Sequence, residues 1–347
     1  MTANTMLQEM ISILIPTKNR SDFLTRTLLY YVKVNFKGRI YIGDSSNDEH
    51  TEKNKHTIEI LKDKLKIIYR YFPSPPYMHE GMCVKDLTEI ADTPYAVYSG
   101  DDDFLIPAGL EKCIDFLENH PDYNAAHGFR INFSLENDDA YSKIISGYII
   151  PGHKLECCVA VERWRTYIQE AFSTQYYVHR TDTWRRMYRD IDSIPIRYFG
   201  PEFVPCSLSA IAGKIMQLDC LTAVFQKRHD DTGNWQQLNF YSLITNPEWH
   251  SSYKTIKKSI TEALVQQDGI SNEKADEIFD REFWFHLAFY LYSQYHVKYK
   301  ASNMPLEEQN KNILYSVLLN PSFRFYSDFR QVYLSVSVPM EINNIYK

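Results

Sequence analysis

The chain has 347 residues, of which 44% are hydrophobic and 24% are charged. These are ordinary globular values, and the length allows one large α/β domain with an appendage or two ordinary domains. A formal net charge of −6 argues against a nucleic-acid-binding protein with a dominant basic face.

The sequence predicts neither a secretion signal nor a membrane span. No basic N-terminal segment precedes an apolar stretch, and no apolar run approaches the roughly 20 residues that cross a bilayer. The six cysteines form no CxxC pair, although Cys157 and Cys158 are adjacent, so a structural zinc site is not expected. We therefore expect a cytoplasmic protein with reduced cysteines in its core.

The N-terminal third alternates strand and helix signals. The apolar run 11–15, closed by Pro16, predicts a buried strand, and Ser21 can cap the helix that follows. Further strands are predicted at 39–42, 65–71 and 95–99, with helices at 51–64 and 83–91 and from Pro107 onward. This order predicts an α/β fold, with a mostly parallel central sheet and helices on both faces.

The rest of the chain changes character near residue 240. Strands are predicted at 125–133 and 214–226, and helices at 255–267, 271–299 and 306–319. We therefore expect an α/β domain over 1–240 and an α-helical region over 241–347. Aromatic residues are dense in this second region, and they either pack on the first domain or form a dimer or membrane-surface contact. They are Phe283, Trp284, Phe285, Phe289 and Tyr290.

Polar residues follow three of the predicted strands. Thr17, Asp44 and the run Asp101–Asp103 come directly after strands, so they should meet at one edge of the sheet, where α/β proteins bind ligands. Three adjacent carboxylates repel one another, and a divalent cation such as Mg²⁺ or Mn²⁺ would relieve this. The alternative is a solvated acidic turn, or a cap for the helix at Pro107.

The three motifs together resemble the inverting glycosyltransferases of family 2, which have the GT-A fold. They read ILIPTKNR at 13–20, GDSS at 43–46 and GDDDFLIP at 100–107. The resemblance covers roughly residues 10–240, and it implies transfer from a nucleotide sugar with Mn²⁺ or Mg²⁺ as cofactor. Many members have Asp where this chain has Gly100, so the resemblance leaves open which aspartate ligates the metal first.

The same resemblance implies roles for individual residues. Pro16, Thr17 and Arg20 would form the nucleoside pocket, and Asp44 would accept hydrogen bonds from the base, which favours UDP. Lys85 would touch the base or the diphosphate, or be an exposed helix lysine. Asp101 would face the ribose. Asp102 and Asp103 would hold the metal.

Two later segments complete the predicted site. Glu202, in FGPEF at 199–203, stands where the family has its general base, although Pro201 replaces the first acid of the usual pair. His229 would complete the metal shell, or else be a solvated loop residue, and Arg228 or Lys227 would neutralise the leaving phosphate. Trp235 would stack on the sugar or close over the donor, or else pack on the helical region.

We therefore expect an inverting, metal-dependent hexosyltransferase that uses a UDP-sugar and a glycan, lipid-linked or other hydroxyl acceptor. By the same resemblance, it would act in surface polysaccharide synthesis, in the cytoplasm or peripherally at the inner face of the membrane. Three alternatives stay open. They are a metal-dependent nucleotidyltransferase, a non-catalytic nucleotide-sugar-binding protein, and a scaffold. The absence of glycine from 16–20 counts against the nucleotidyltransferase.

Overall fold

The computed structural model describes residues 7–73, 79–170, 172–228, 245–301, 321 and 324–337. Its strands are β1 (Ile11–Thr17), β2 (Arg39–Asp44), β3 (Lys66–Tyr71), β4 (Tyr95–Tyr98), β5 (Phe104–Leu105), β6 (Tyr123–Leu135), β7 (Ile144–Ile150), β8 (Val178–Arg180) and β9 (Lys214–Gln226).

The α-helices are α1 (Ser21–Lys33), α2 (Asp48–Leu61), α3 (Glu80–Ile90), α4 (Pro107–Asn119), α5 (Ala160–Glu170), α6 (Thr181–Tyr188), α7 (Val204–Ala212), α8 (Trp249–Asp268), α9 (Asn272–Ala301) and α10 (Tyr326–Ser337). A 3₁₀ turn (Ile191–Ser193) and a π-helical turn (Phe199–Phe203) precede α7.

The strands form one sheet in the order β3-β2-β1-β4-β8-β6-β9-β5, with β7 paired to β6 outside this path. The pairs among β1 to β4 are parallel, as predicted. Beyond β4 the sheet is mixed, because β8 runs antiparallel to both β4 and β6, while β6 and β9 are parallel. The predicted α/β fold is confirmed.

Each face of the sheet is covered by a separate apolar cluster. Along β1 the side chains alternate, so that Leu14 packs in one cluster while Ile13 and Ile15 pack in the other. Helices α3 and α5 to α9 contribute to the first cluster, and α1, α4 and α10 to the second. The apolar runs of the sequence thus produce a sheet buried on both sides.

Helix starts differ slightly from the sequence prediction. Pro107 occupies the first turn of α4, as predicted. Ser21, predicted as the cap of α1, is instead its first residue, with Arg20 in the capping position. The Ser21 hydroxyl lies 2.8 Å from Nδ1 of His50, so it tethers the helix to α2 and does not cap it.

The predicted C-terminal helical region is present and packs on the sheet domain. Phe279 and Phe283 of α9 are fully buried, whereas Trp284, Phe285 and Phe289 are 45%, 53% and 54% exposed. The side chain of Tyr290, the predicted helix at 306–319 and the predicted boundary near 240 lie outside the described residues. No described helix has both the length and the apolar character needed to cross a membrane.

Candidate functional site

A cavity of about 400 Å³ opens where β1 and β4 end. This is within the usual size of a small-molecule site, and it lies at the sheet edge that the sequence predicted. Among the predicted site residues, the cavity wall includes Pro16, Thr17, Arg20, Asp101 and Asp102. The other lining residues are Lys18, Ser45, His79, Glu80, Cys83, Tyr98, Gly100, Tyr176 and Arg197.

Asp101 is held by residues from the end of β1 and the start of α1. The Thr17 hydroxyl donates to its Oδ2 at 2.7 Å, and the Arg20 guanidinium lies 3.1 Å from its Oδ1. Burial raises the pKa of Asp101 to about 6, although Arg20 opposes this rise. Both carboxylate oxygens are therefore engaged within the protein.

Asp103 is not among the residues that line the cavity. The Tyr176 hydroxyl donates to its Oδ2 at 2.7 Å, and the Gln226 backbone N–H donates to its Oδ1 at 3.2 Å. Burial, and then the charge of Asp102, raise the pKa of Asp103 well above its usual value. In this conformation Asp103 joins the acidic turn to β9, and its predicted metal ligation stays a prediction.

Asp102 is the aspartate of the triplet that best fits a metal ligand. Its Oδ2 pairs with Arg20, and none of the described residues donates a hydrogen bond to its Oδ1. The described chain brings together no three His, Cys, Asp or Glu residues that could hold a metal ion. Mg²⁺ commonly takes only one or two carboxylates and completes its shell with phosphate oxygens and water. Asp102 fits such a site.

Three guanidinium groups surround the ring of Phe23 beside the acidic turn. Their Cζ atoms lie 4.6 Å (Arg20), 5.2 Å (Arg26) and 5.6 Å (Arg228) from the ring centroid. Arg26 is fully buried and donates to the backbone oxygen of Asp102 at 2.8 Å. Arg20 and Arg26 thus supply positive charge against the carboxylates. Arg228 does not line the cavity, and its predicted contact with the donor stays a prediction.

The opposite wall of the cavity comes from α3 and the segment before α7. Glu80, in the first turn of α3, pairs with Arg197 at 3.3 Å. A Cβ placed on Gly81 would lie 2.9 Å from Cα of Pro201, so this wall packs directly on the π turn that carries Glu202. Sequence reasoning missed Glu80 and Arg197 because their proximity depends on this long-range packing.

Glu202, the predicted general base, lies in this π turn. It is partly exposed but is not among the residues that line the cavity. Burial raises its pKa, and the nearby charge of Glu80 adds to the rise. A carboxylate with a raised pKa is the kind of group that accepts a proton near neutral pH.

Two further predicted donor contacts, Asp44 and Lys85, also lie outside the cavity wall. Asp44 is fully buried, and its carboxylate accepts hydrogen bonds from Ser46 N–H at 2.8 Å, Asn54 Nδ2 at 2.7 Å and the Tyr69 hydroxyl at 2.9 Å. Its neighbour Ser45 lines the cavity instead. Lys85 pairs with Asp192, outside the cavity wall. Both assignments stay predictions.

His229 and Trp235 lie outside the described residues, so their predicted roles stay predictions. Two residues of the site gave no usable sequence signal. In the sequence, Arg26 cannot be distinguished from the other polar residues of its predicted helix. Tyr176 lies in a region for which the sequence predicts no helix or strand. Both reach the acidic turn through long-range hydrogen bonds, Arg26 from α1 and Tyr176 from the segment before β8.

Comparisons with known proteins identify no family for this chain. No family model matches it, and no curated protein matches it. Among solved structures, S. aureus TarS is 11% identical over 80% of this chain, with a TM-score of 0.49, and the chain spans only 44% of that TarS chain.

Two further solved structures give comparable similarity. S. aureus TarS 1–349 in complex with UDP-GlcNAc is 11% identical, and the match covers 96% of this chain and 83% of that chain at a TM-score of 0.49. The mannosyltransferase PcManGT from Pyrobaculum calidifontis, in complex with GDP-Man and Mn²⁺, is 11% identical, with 94% and 84% covered and a TM-score of 0.44. Similarity at this level defines neither substrate nor mechanism.

Proposed function

We propose that this protein is an inverting glycosyltransferase of the family 2 type, which transfers a sugar from a nucleoside diphosphate sugar to a hydroxyl acceptor. One observation carries the proposal. A single cavity at the ends of β1 and β4 combines the strand-end carboxylates Asp101 and Asp102 with the cations Lys18, Arg20 and Arg197. Such a mixture of charges suits a diphosphate bound together with a divalent cation.

Different residues of the site would contact the phosphates, the nucleoside and the metal ion. Arg20 and Arg228, which share contact with Phe23, would meet the phosphate oxygens. Thr17 and Asp101 would contact the ribose and base, and Asp102 would hold Mn²⁺ or Mg²⁺. When bound, the metal would stabilise the negative charge of the leaving diphosphate.

The chemical step is a displacement at the anomeric carbon. The acceptor oxygen forms a bond to this carbon while the bond to the diphosphate oxygen breaks, and the diphosphate leaves with the electron pair. The acceptor proton passes to Glu202, whose pKa burial raises. Glu202 does not line the cavity, so this role requires an acceptor that extends from the cavity to the π turn.

UDP is the preferred nucleotide in this proposal, through the resemblance that assigns Asp44 to the base. A glycan or lipid-linked acceptor in surface polysaccharide synthesis, and a cytoplasmic or peripheral membrane location, follow from the same resemblance. The exposed aromatic side chains Trp284, Phe285 and Phe289 would suit a dimer or membrane-surface contact. The sugar itself is left open.

Glu202→Gln tests the assignment of the base. We expect kcat to fall by about 10²–10⁴-fold, because no carboxylate remains to take the proton from the acceptor hydroxyl. The affinity for the donor should stay unchanged. Glu277→Gln, at an exposed position on α9, is the matched control and should behave like the wild type. Normal turnover by Glu202→Gln would remove Glu202 from the mechanism. Donor binding without turnover in the wild type would favour a non-catalytic binding protein.

A further inference from the structure

The imidazole of His79 is tightly enclosed in the cavity wall. His79 is the N-terminal capping residue of α3, is 5% exposed and lines the cavity. Its ring lies against two glycines. A Cβ on Gly200 would be 2.4 Å from its Nε2, and a Cβ on Gly81 would be 3.0 Å from its Nδ1. The ring therefore has space only because both positions lack a side chain.

The hydrogen bond between the ring and Ile194 fixes the tautomer of His79. Nε2 lies 2.8 Å from the backbone oxygen of Ile194, and a carbonyl oxygen can only accept, so Nε2 carries the proton. Burial lowers the pKa of His79, which keeps the ring neutral at pH 7. Nδ1 is therefore a hydrogen-bond acceptor with an available lone pair.

This acceptor has no partner in the described part of the chain. Nδ1 is buried, and no described residue donates a hydrogen bond to it. Leaving a buried acceptor without a partner is unfavourable. His79 is one of the residues that line the cavity, so a ligand bound there can supply the donor.

We infer that Nδ1 of His79 accepts a hydrogen bond from a hydroxyl group of the sugar in the bound nucleotide sugar. This inference rests on the proposed function. Phosphate and carboxylate oxygens cannot donate at neutral pH, so the contact must come from a hydroxyl or N–H group. His79 contacts Gly200 in the π turn that carries Glu202. The proposed base acts at the sugar, and His79 is therefore on the sugar side of the cavity.

Two amide variants separate this contact from the structural role of the ring. In His79→Gln the side-chain NH₂ can take the place of Nε2 against Ile194, but no acceptor remains at the position of Nδ1. In His79→Asn the side-chain oxygen can take the place of Nδ1, while the bond to Ile194 is lost. Each variant therefore removes one of the two hydrogen bonds, and both variants introduce the same amide group.

The experiment is calorimetric titration with UDP, UDP-GlcNAc, UDP-glucose, GDP and GDP-mannose in the presence of Mn²⁺, together with thermal melting. For the nucleotide sugar that the wild type binds, His79→Gln should weaken affinity by about tenfold, leave the matching nucleotide diphosphate unaffected and melt near the wild-type temperature. His79→Asn should keep the affinity and melt at a lower temperature.

Other results would overturn the inference. Wild-type affinity of His79→Gln for the nucleotide sugar would show that Nδ1 makes no ligand contact. An equal loss of affinity for the diphosphate and the nucleotide sugar would place the contact on the nucleotide and not on the sugar. If the wild type binds none of the five probes, the proposed function itself is wrong, which is a separate result from an unchanged variant.

Discussion

The three aspartates after β4 have the same side chain but different surroundings. Asp101 is closed in by Thr17 and Arg20, and Asp103 by Tyr176 and Gln226 N–H. Asp102 alone of the three is left with a carboxylate oxygen that no described residue binds. A run of identical residues thus divides into two whose carboxylate oxygens are engaged within the protein and one that keeps an oxygen for a metal ion.

Asp101→Asn is expected to leave the protein at least as stable as the wild type at pH 7. Burial raises the pKa of Asp101 from 3.8 to about 6, so the folded state binds this proton more tightly than the unfolded state. Its contribution to stability is then present below pH 4 and is lost as the pH rises to about 6. At pH 7 the loss of this contribution lowers the free energy of unfolding of the wild type by at most about 3 kcal/mol.

Urea unfolding of both proteins at pH 4.5 and pH 7 measures this effect. The variant should gain stability relative to the wild type as the pH rises, while its transferase activity falls because the donor site loses a charge. Asp182→Asn, at a carboxylate that is 78% exposed, is the control and should show no pH-dependent difference. A variant that loses stability equally at both pH values would contradict the account.

Whether the surroundings of a residue can be predicted from the sequence depends on which elements supply its partners. Thr17, Arg20 and Asp101 could be brought together from the sequence, because strand ends of a parallel sheet share an edge. The enclosure of Asp44 could not, since Asn54 and Tyr69 come from α2 and β3. Such side-chain contacts leave no spacing pattern in the sequence.

At the scale of elements, a buried arginine completes the C-terminal end of α7. Arg163 of α5 donates to the backbone oxygens of Ala210 at 2.9 Å and Ile211 at 2.6 Å, and also to those of Cys157 and Cys158. The last carbonyls of a helix have no partner within the helix. One guanidinium therefore connects α5, α7 and the loop before α5.

Arg163→Met should destabilise the protein by about 2–4 kcal/mol, because it leaves several buried carbonyl groups without donors. Chemical denaturation measures this loss directly. Arg163→Lys keeps the charge but has fewer N–H donors than the guanidinium, so it should be more stable than Arg163→Met but less stable than the wild type. If Met and Lys variants were both as stable as the wild type, the proposed bridging role would be wrong.

The elements that could be predicted are those with a local pattern. Apart from β5, the strands and helices from β1 to α4 follow strand and helix signals that alternate along the sequence, and the predicted bounds of β9 match the observed ones. Strands β5 and β8 have two and three residues, too few to show a period of two. Their existence depends on pairing with β9, β4 and β6, which are distant in sequence.

For the whole molecule, four buried histidines among the described residues link stability to pH. Burial lowers the pKa of His127 and of His179 to about 4, and it also lowers the pKa of His79 and of His286. His286 lies 2.8 Å from the Tyr198 hydroxyl and so connects α9 to the segment before the π turn. Burial thus favours the neutral ring in the folded protein.

Stability should therefore fall on acidification. Between the unfolded value near pH 6.5 and the folded value near pH 4, the unfolded state binds more protons, so the free energy of unfolding rises with pH. Each such histidine contributes a slope of up to about 1.4 kcal/mol per pH unit. The raised pKa values of Asp101 and Asp103 act in the opposite direction, so a variant is needed to isolate the effect.

His179→Gln provides this comparison. Its amide can still accept from Ser209, whose hydroxyl oxygen lies 2.7 Å from the histidine Nε2. The variant should lose less stability than the wild type when urea unfolding is repeated from pH 7 down to pH 4.5. A slope equal to that of the wild type would show that this histidine is not neutralised by burial.

The central claim is that the cavity at the ends of β1 and β4 binds a nucleoside diphosphate together with a divalent cation. Thermal melting with UDP, GDP, dTDP and CDP, each with Mn²⁺, Mg²⁺ or EDTA, tests it most directly, because a ligand that binds only the native state raises the melting temperature. We predict stabilisation by UDP with metal, lost with EDTA and in Asp102→Asn. No stabilisation by any nucleotide at millimolar concentration, with or without metal, would contradict the claim.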